Sequence, residues 1–568
     1  MNRLIKTANQ LTRIGSISLL IAAYYLMANS AIAQPQPNIV LVLTDDQPYG
    51  YLGVTGNKIA KTPNIDNLAN QGLLFTNAHV TSAICTPSRV SILLSQYERK
   101  HGVNFNSGTA VAEKAWLQSY PVLLRQSGYH TGWVGKNHVP VGEDGYATGI
   151  MEKSFDYWYA SHGHMRFYSK DTHPIFKEAE NDTQLEIVSE GIADFMDTNE
   201  YRFKRAQTFL DARPKNQPFM LSINLNLPHG AGAREMAQRD KDDDIYKSLY
   251  RDKNIPLPKH YVAKKDIKQP KLPADLLRAK DRQVGYNYVD TEEDVTEMLI
   301  RQNQAMTGID RLVGRLQDEL KRHKVDDNTI IILTSDHGLF MGEFGLGGKA
   351  LCYEKTTHVP LIIYDPRQTA KQQTSDALVQ SIDVAPTILS YAGVTAPKSY
   401  QGEDLSGFYT HQTKTQREYV FTENLWSTHF GNPRCDAIQD NQWKYIRYYA
   451  NHNLSANDKV KIAKQMGMKP SKVLYGYHDA AITQYRQFVE GPLQGESAVY
   501  EELYHIAQDP DELNNLVNSS QHQDKLAEMR NAWLPVIQQA RGSGFPHVVR
   551  YTVDSQLEKR SKGKAKTY

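Results

Sequence analysis

Cys85-Thr86-Pro87-Ser88-Arg89 is the stretch whose residue types and spacing point most directly to chemistry. It leads into Val90, Ile92, Leu93 and Leu94, an apolar run that predicts a helix beginning at the cysteine. Pro87 fits a first helical turn, where its missing N–H costs nothing. A helix start presents backbone N–H groups without intrahelical acceptors and a partial positive charge. Arg89 adds a permanent cation one turn on. Such surroundings suit an anionic tetrahedral group. On this spacing alone, a buried cysteine serving as a small hydrophobe is the stronger account.

Other polar residues fall where a sheet would gather them. Residues 37–44 are apolar on both faces, the pattern of a buried parallel strand, and end in Asp45-Asp46. Thr62 and Pro63 predict the start of a helix that Gly72 closes. A helix at 120–127 leads to a strand at 129–134, then to Lys136 and His138. A strand at 219–225 ends near His229. Another, at 329–334, follows a helix bearing Leu299, Ile309, Leu312, Val313, Leu316 and Leu320, and ends at Asp336-His337. Residues 359–364 predict a further strand. Ligands collect beyond the carboxyl ends of strands in α/β sheets, so these polar residues are candidates for one pocket with Cys85. A single aspartate after a strand would as readily cap a turn. The adjacent pair Asp45-Asp46 is costly unless a cation shares it, and with Asp336 it offers hard oxygen ligands for Ca²⁺ or Mg²⁺.

The chain has 568 residues, 23% of them charged. Arg3, Lys6 and Arg13, an apolar run from Ser16 to Met27, and Ala31-Ile32-Ala33 read as a signal peptide over 1–33. Export to the periplasm or beyond follows, with no stable membrane anchor. Cleavage takes the formal charge from +2 to −1, because residues 1–33 hold three basic and no acidic side chains. That balance argues against nucleic acid as a partner. Cys85, Cys352 and Cys435 are too few for a disulfide framework. Pairing of the last two stays open. Regions near 140–200 and 230–293 read as insertions in a catalytic domain over 34–416. Short strand-like pieces and a closing helix predict a smaller domain over 417–545, and residues 546–568 form a basic tail.

Cys85-Thr86-Pro87-Ser88-Arg89 resembles the C-x-P-S-R signature of the formylglycine-dependent sulfatases. Further matches run from about residue 37 to 516. They include Asp45-Asp46, Gly135-Lys136-Asn137-His138 with Asn for the usual Trp, Pro228-His229, Ser335-Asp336-His337-Gly338, and Gly348-Lys349 ahead of Tyr353-Glu354. Ser95 and Gln96 stand where Thr and Gly are usual. The resemblance implies an α/β, alkaline phosphatase-like fold: a large mixed or parallel sheet flanked by helices, with a smaller C-terminal α+β domain. It implies that a maturation enzyme converts Cys85 to formylglycine. It also implies that Asp45, Asp46, Asp336, His337 and residue 85 bind a divalent cation, usually Ca²⁺. Arg89, Lys136, His138, His229 and Lys349 complete the implied catalytic set.

The implied reaction is hydrolysis of a sulfate ester. The substrate expected for an exported enzyme is a sulfated polysaccharide or oligosaccharide, such as ulvan, carrageenan or a glycosaminoglycan. His162, His164 and Arg166, in an aromatic and basic run after Trp158, are candidate contacts for neighbouring sugars. So are His358, where the family often has Arg, and Arg434, near Trp426 and His429. The alternative enzyme is a phosphonate monoester or phosphodiester hydrolase of the same superfamily. A non-enzymatic glycan-binding relative should lack Cys85, an aspartate or a lysine, and none is missing.

Overall fold

Both faces of the first strand are apolar, so it requires cover on both sides. In the computed structural model this strand, β1 (Asn38–Asp45), is buried along its whole length. The structure describes residues 36–104, 108–142, 145–161, 206–229, 247–277, 286–369, 373–410, 417–425, 432–450, 488–544 and 549–551, with a few between 457 and 464. The expected signal peptide, the run around His164 and nearly all of the basic tail lie outside them.

From Asn38 on, the chain forms one compact unit. Its larger sheet also contains β2 (Leu73–Phe75), β3 (His130–Lys136), β4 (Tyr157–Ser161), β5 (Phe219–Pro228), β6 (Thr329–Ser335), β9 (Leu361–Tyr364) and β10 (Gln373–Ser375). A short hairpin, β7 (Phe340–Met341) and β8 (Gly347–Gly348), lies between β6 and β9 in sequence. The order across the sheet is β10-β2-β9-β6-β1-β5-β3-β4. β1 is parallel to both β5 and β6, whereas β9 is antiparallel to β2 and β6. The sheet is therefore mixed. β3 runs two residues beyond the expected strand, because it is paired on both sides, and Lys136 closes it.

Alternation along β1 divides the core. Ile39, Leu41 and Leu43 pack with α2 (Cys85–Leu94), α4 (Tyr120–Gln126) and α6 (Val384–Tyr391). Val40 and Val42 pack with α1 (Pro63–Gln71) and the 31-residue α5 (Glu292–Arg322). A three-layer sandwich results, with the carboxyl ends of β1, β3, β5 and β6 at one edge.

The smaller sheet has β11 (Val420–Asn424), β12 (Arg434–Gln439), β13 (Lys444–Tyr449) and β14 (Tyr500–Tyr504), antiparallel throughout. One face, with Phe421, Ile438 and Leu503, packs on Met529, Trp533 and Ile537 of α7 (Gln523–Arg541). The other, with Cys435, Ala437, Ile446 and Tyr448, packs on Phe340, Leu351, Cys352 and Tyr353. Arg99, in the short helix α3 (Glu98–His101), ties that helix to the smaller sheet. Its Nε lies 2.6 Å from Glu423, its backbone N–H donates to the same carboxylate, and its Nη2 is 3.8 Å from Asp436. All three side chains are fully buried.

Removing one member of a buried ion cluster leaves the others uncompensated, at a cost of about 3–5 kcal/mol. Arg99→Ala should therefore destabilise the protein by about that much, measured by urea unfolding. A loss below about 1 kcal/mol would mean that Arg99 does not anchor α3 to the smaller sheet.

Candidate active site and metal centre

Cys85 is the first residue of α2, and Ile84 before it has no side chain that could cap the helix. The positive end of the helix dipole therefore lies at the cysteine. Its Sγ stands where the resemblance places the oxygen that formylglycine carries on Cβ, so contacts to Sγ are read as contacts to that oxygen. Lys349 Nζ lies 2.9 Å from Sγ, His337 Nε2 3.2 Å and Asp45 Oδ1 3.8 Å.

The aspartates arrive from neighbouring strands. Asp45 ends β1, and Asp46 follows in a left-handed conformation with φ 60°. Asp336 follows β6, and its backbone N–H donates to Thr44 O, holding the two strand ends together. Asp46 N–H donates to Asp336 Oδ1. His138, just beyond β3, also adopts a positive φ of 58°. Such backbone costs energy and concentrates at functional sites.

Each carboxylate has a cation beside it. Lys136 Nζ donates to Asp45. Arg89 Nε lies 2.9 Å from Asp336, and its Nη2 is 3.9 Å from Asp45. Lys349 Nζ is 2.9 Å from Asp46, with His337 Nδ1 at 3.2 Å and His229 Nε2 at 3.7 Å. Burial alone would raise the Asp336 carboxyl, but His337, Arg89, Lys136 and Lys349 together hold it far below the usual range. Burial alone would lower His337, yet Asp336, Cys85 and Asp46 push it up to about 9. His229 goes the other way: burial, with Lys349 and Lys136, brings it to about 3 against Asp45 and Asp336. Burial likewise holds His138 well down, with Lys136, Arg89 and Lys349 adding to the effect.

One ligand atom from each of Asp45, Asp46, Cys85 and His337 lies within 4.8 Å of all the others. Three oxygen or nitrogen donors converging beside residue 85, with Asp336 behind them, fit a divalent cation. The carboxylate share favours Ca²⁺ or Mg²⁺ over a softer metal.

The structure thus brings together Asp45, Asp46, Cys85, Arg89, Lys136, His138, His229, Asp336, His337 and Lys349. It places two other candidates elsewhere. Arg434 is buried in β12, bonded bidentately to Glu496 and packed 3.8 Å over the Phe488 ring. Its guanidinium is committed to Glu496 and the Phe488 ring in this structure. His358 stacks on Tyr49 at 4.2 Å and hydrogen-bonds Thr76 O. It lines a cavity of about 450 Å³ with Tyr49, Tyr51, Glu343 and Lys355. His162, His164 and Arg166 lie outside the described residues.

Some residues went unread in the sequence. Ser335 Oγ accepts from Gln47 N–H, and Thr86 Oγ donates to His138 O, fixing the loops that carry the site. Tyr286 lies on the lysine hairpin: Gly348 has φ +80°, and a Cβ there would sit 2.1 Å from the Tyr286 ring. Gln47, Ser335 and Thr86 are signalled only by adjacency to Asp45-Asp46, Asp336 and Cys85, and Tyr286 by nothing local.

Residues 37–394 match the family model described as Sulfatase, and residues 342–462 match N-sulphoglucosamine sulphohydrolase, C-terminal. An N-acetylglucosamine-6-O-sulfatase of Bacteroides thetaiotaomicron is 25% identical over 90% of this chain and 89% of its own. A solved structure in complex with its substrate D-glucosamine-2-N,6-O-disulfate superposes with TM-score 0.65 at 21% identity, over 90% of this chain and 99% of that one. The phosphonate monoester hydrolase of Agrobacterium radiobacter gives TM-score 0.63 at 18% identity, over 89% and 96%. These two structural likenesses establish the fold alone.

A cation held only by the folded state stabilises it by about 2.7 kcal/mol at 100 times its dissociation constant. Adding Ca²⁺ to chelator-treated protein should raise its melting temperature, and Asp46→Ala should abolish that response. A melting curve indifferent to both Ca²⁺ and Mg²⁺ would remove the metal centre.

Proposed function

Since this chain belongs to the sulfatase family, and is a sulfuric ester hydrolase, we propose that it removes sulfate from a sugar of a sulfated polysaccharide or oligosaccharide. A 6-O-sulfated N-acetylglucosamine unit is the first candidate, supported by the relative that matches along nine-tenths of the chain. The proposal includes formylglycine at residue 85, Ca²⁺ or Mg²⁺ beside it, action by a signal-bearing exported protein, and a maturation enzyme as transient partner. No described helix is long and apolar enough to cross a membrane.

The observation that carries the reading is the place of Cys85 Sγ: at a helix start, 2.9 Å from Lys349 and 3.2 Å from His337. Hydrated formylglycine supplies a hydroxyl nucleophile, and the cation supplies charge to sulfate oxygens. The chain's own residues do the rest. Arg89 fixes Asp336, and Lys136 fixes Asp45, so both carboxylates are held facing residue 85. Lys349 reaches residue 85 and the sulfate position beside it, stabilising charge that grows on oxygen. His138, kept neutral by burial, orients residue 85. His229 is neutral in the free pocket, and a sulfate brought beside it raises its proton affinity. It then holds a proton for the leaving sugar oxygen.

Sugar alkoxides are poor leaving groups and activated phenolates good ones. His229→Ala should therefore cut kcat on a sugar sulfate by about 10²–10⁴ and far less on an activated aryl sulfate. Cys85→Ser should fold normally and lose multiple turnover, and a peptide mass spectrum of active protein should show formylglycine at 85. The proposal is tested by NMR of sulfated oligosaccharides before and after incubation. Faster turnover of a phosphodiester than of every sulfate ester would move the assignment to phosphonate monoester or phosphodiester hydrolysis.

A further inference from the structure

Cys352 and Cys435 are far apart in sequence and adjacent in space. Their Sγ atoms lie 3.6 Å apart across 83 positions. Both are buried, and both are thiols in this structure. Cys352 belongs to the turn that follows Lys349 and precedes Tyr353, whereas Cys435 lies in β12. Cys352 Sγ also lies 3.7 Å from Thr422 O, on the strand beside β12. The contact therefore spans the interface between the lysine-bearing turn and the smaller sheet. Leu351, Tyr353, Ala437 and Tyr448 belong to the same buried apolar cluster.

We infer that Cys352 and Cys435 form a disulfide in the mature protein, clamping the Lys349 turn to the smaller sheet. The inference rests on the export proposed above, since disulfides persist in oxidising compartments. In forming it, two S–H bonds break and one S–S bond of about 2.05 Å is made. The two protons and two electrons pass to a disulfide oxidant, which becomes two thiols. Burial holds the Cys352 thiol up, so exchange is slow once the fold has closed and the bond forms while the interface is still open. The pairing also leaves Cys85 as the one remaining thiol, removing two competitors for misplaced cross-links with the residue that is to be converted.

The experiment uses the full chain with its leader, recovered from the bacterial periplasm, alkylated in denaturant without reductant and peptide-mapped. The expected result is one linked pair of peptides carrying 352 and 435, lighter by two hydrogens than the free pair. Reduction should lower the melting temperature by about 3 °C. The double variant Cys352→Ala with Cys435→Ala should be indifferent to reductant. Separate alkylation of both cysteines in periplasmic protein overturns the inference. Should the chain not reach the periplasm, export fails and the inference is decided on cytosolic protein equilibrated with oxidised glutathione in mild urea. A linked pair there sustains the geometry, and two mixed disulfides with glutathione overturn it.

Discussion

Three carboxylates meet in a space from which water is excluded, and the rest of the structure answers that fact. Asp45, Asp46 and Asp336 are buried to within a few per cent of completely. Uncompensated, such charges would take up protons instead of staying ionised. Arg89, Lys136 and Lys349 come from a helix, a strand and a hairpin, and each is placed against one of them. The fold can be read as the means of delivering these cations. The parallel strands β1 and β6 bring the aspartates to one edge, α2 points Arg89 back at them, and β3 ends on Lys136.

Lys349 depends on more distant support. Its hairpin and the turn after it contribute little regular structure, so their position comes from what they pack against. Tyr353 OH donates to Glu502, which also accepts from Tyr448 of β13. Lys444 of β13 lies 2.7 Å from both Glu354 and Glu512, and Glu354 N–H donates to Glu512. The smaller sheet therefore acts as the back wall of Lys349, with a charge triad at the join.

Much of the site was legible because its residues sit at the ends of apolar runs. Asp45-Asp46 and Asp336-His337 follow strands whose unbroken hydrophobicity marks them as central, and that placement needs no knowledge of distant partners. The antiparallel course of β9 was not legible, since a four-residue apolar run carries no direction. The surroundings of Arg434 were not legible for a related reason. A charged residue near aromatics looks like a ligand contact, and nothing local announces Glu496, 62 positions later, as its partner. The small hydroxyl and amide residues that brace the loops are too common for their type to be a signal.

The central strand has its neighbours late in the chain. β1 begins at residue 38 but pairs with β5 at 219–228 and β6 at 329–335. Pairings so distant in sequence form slowly, and here they wait until more than half the polypeptide is available. Until then α2 has no sheet to pack on, and the segment around Cys85 stays open. Afterwards Cys85 is fully enclosed, and another enzyme's active site has no route to its sulfur. The topology thus imposes a schedule: the proposed conversion of Cys85 by another enzyme belongs to the interval before the sheet's centre closes, and a molecule that folds unmodified has missed its opportunity.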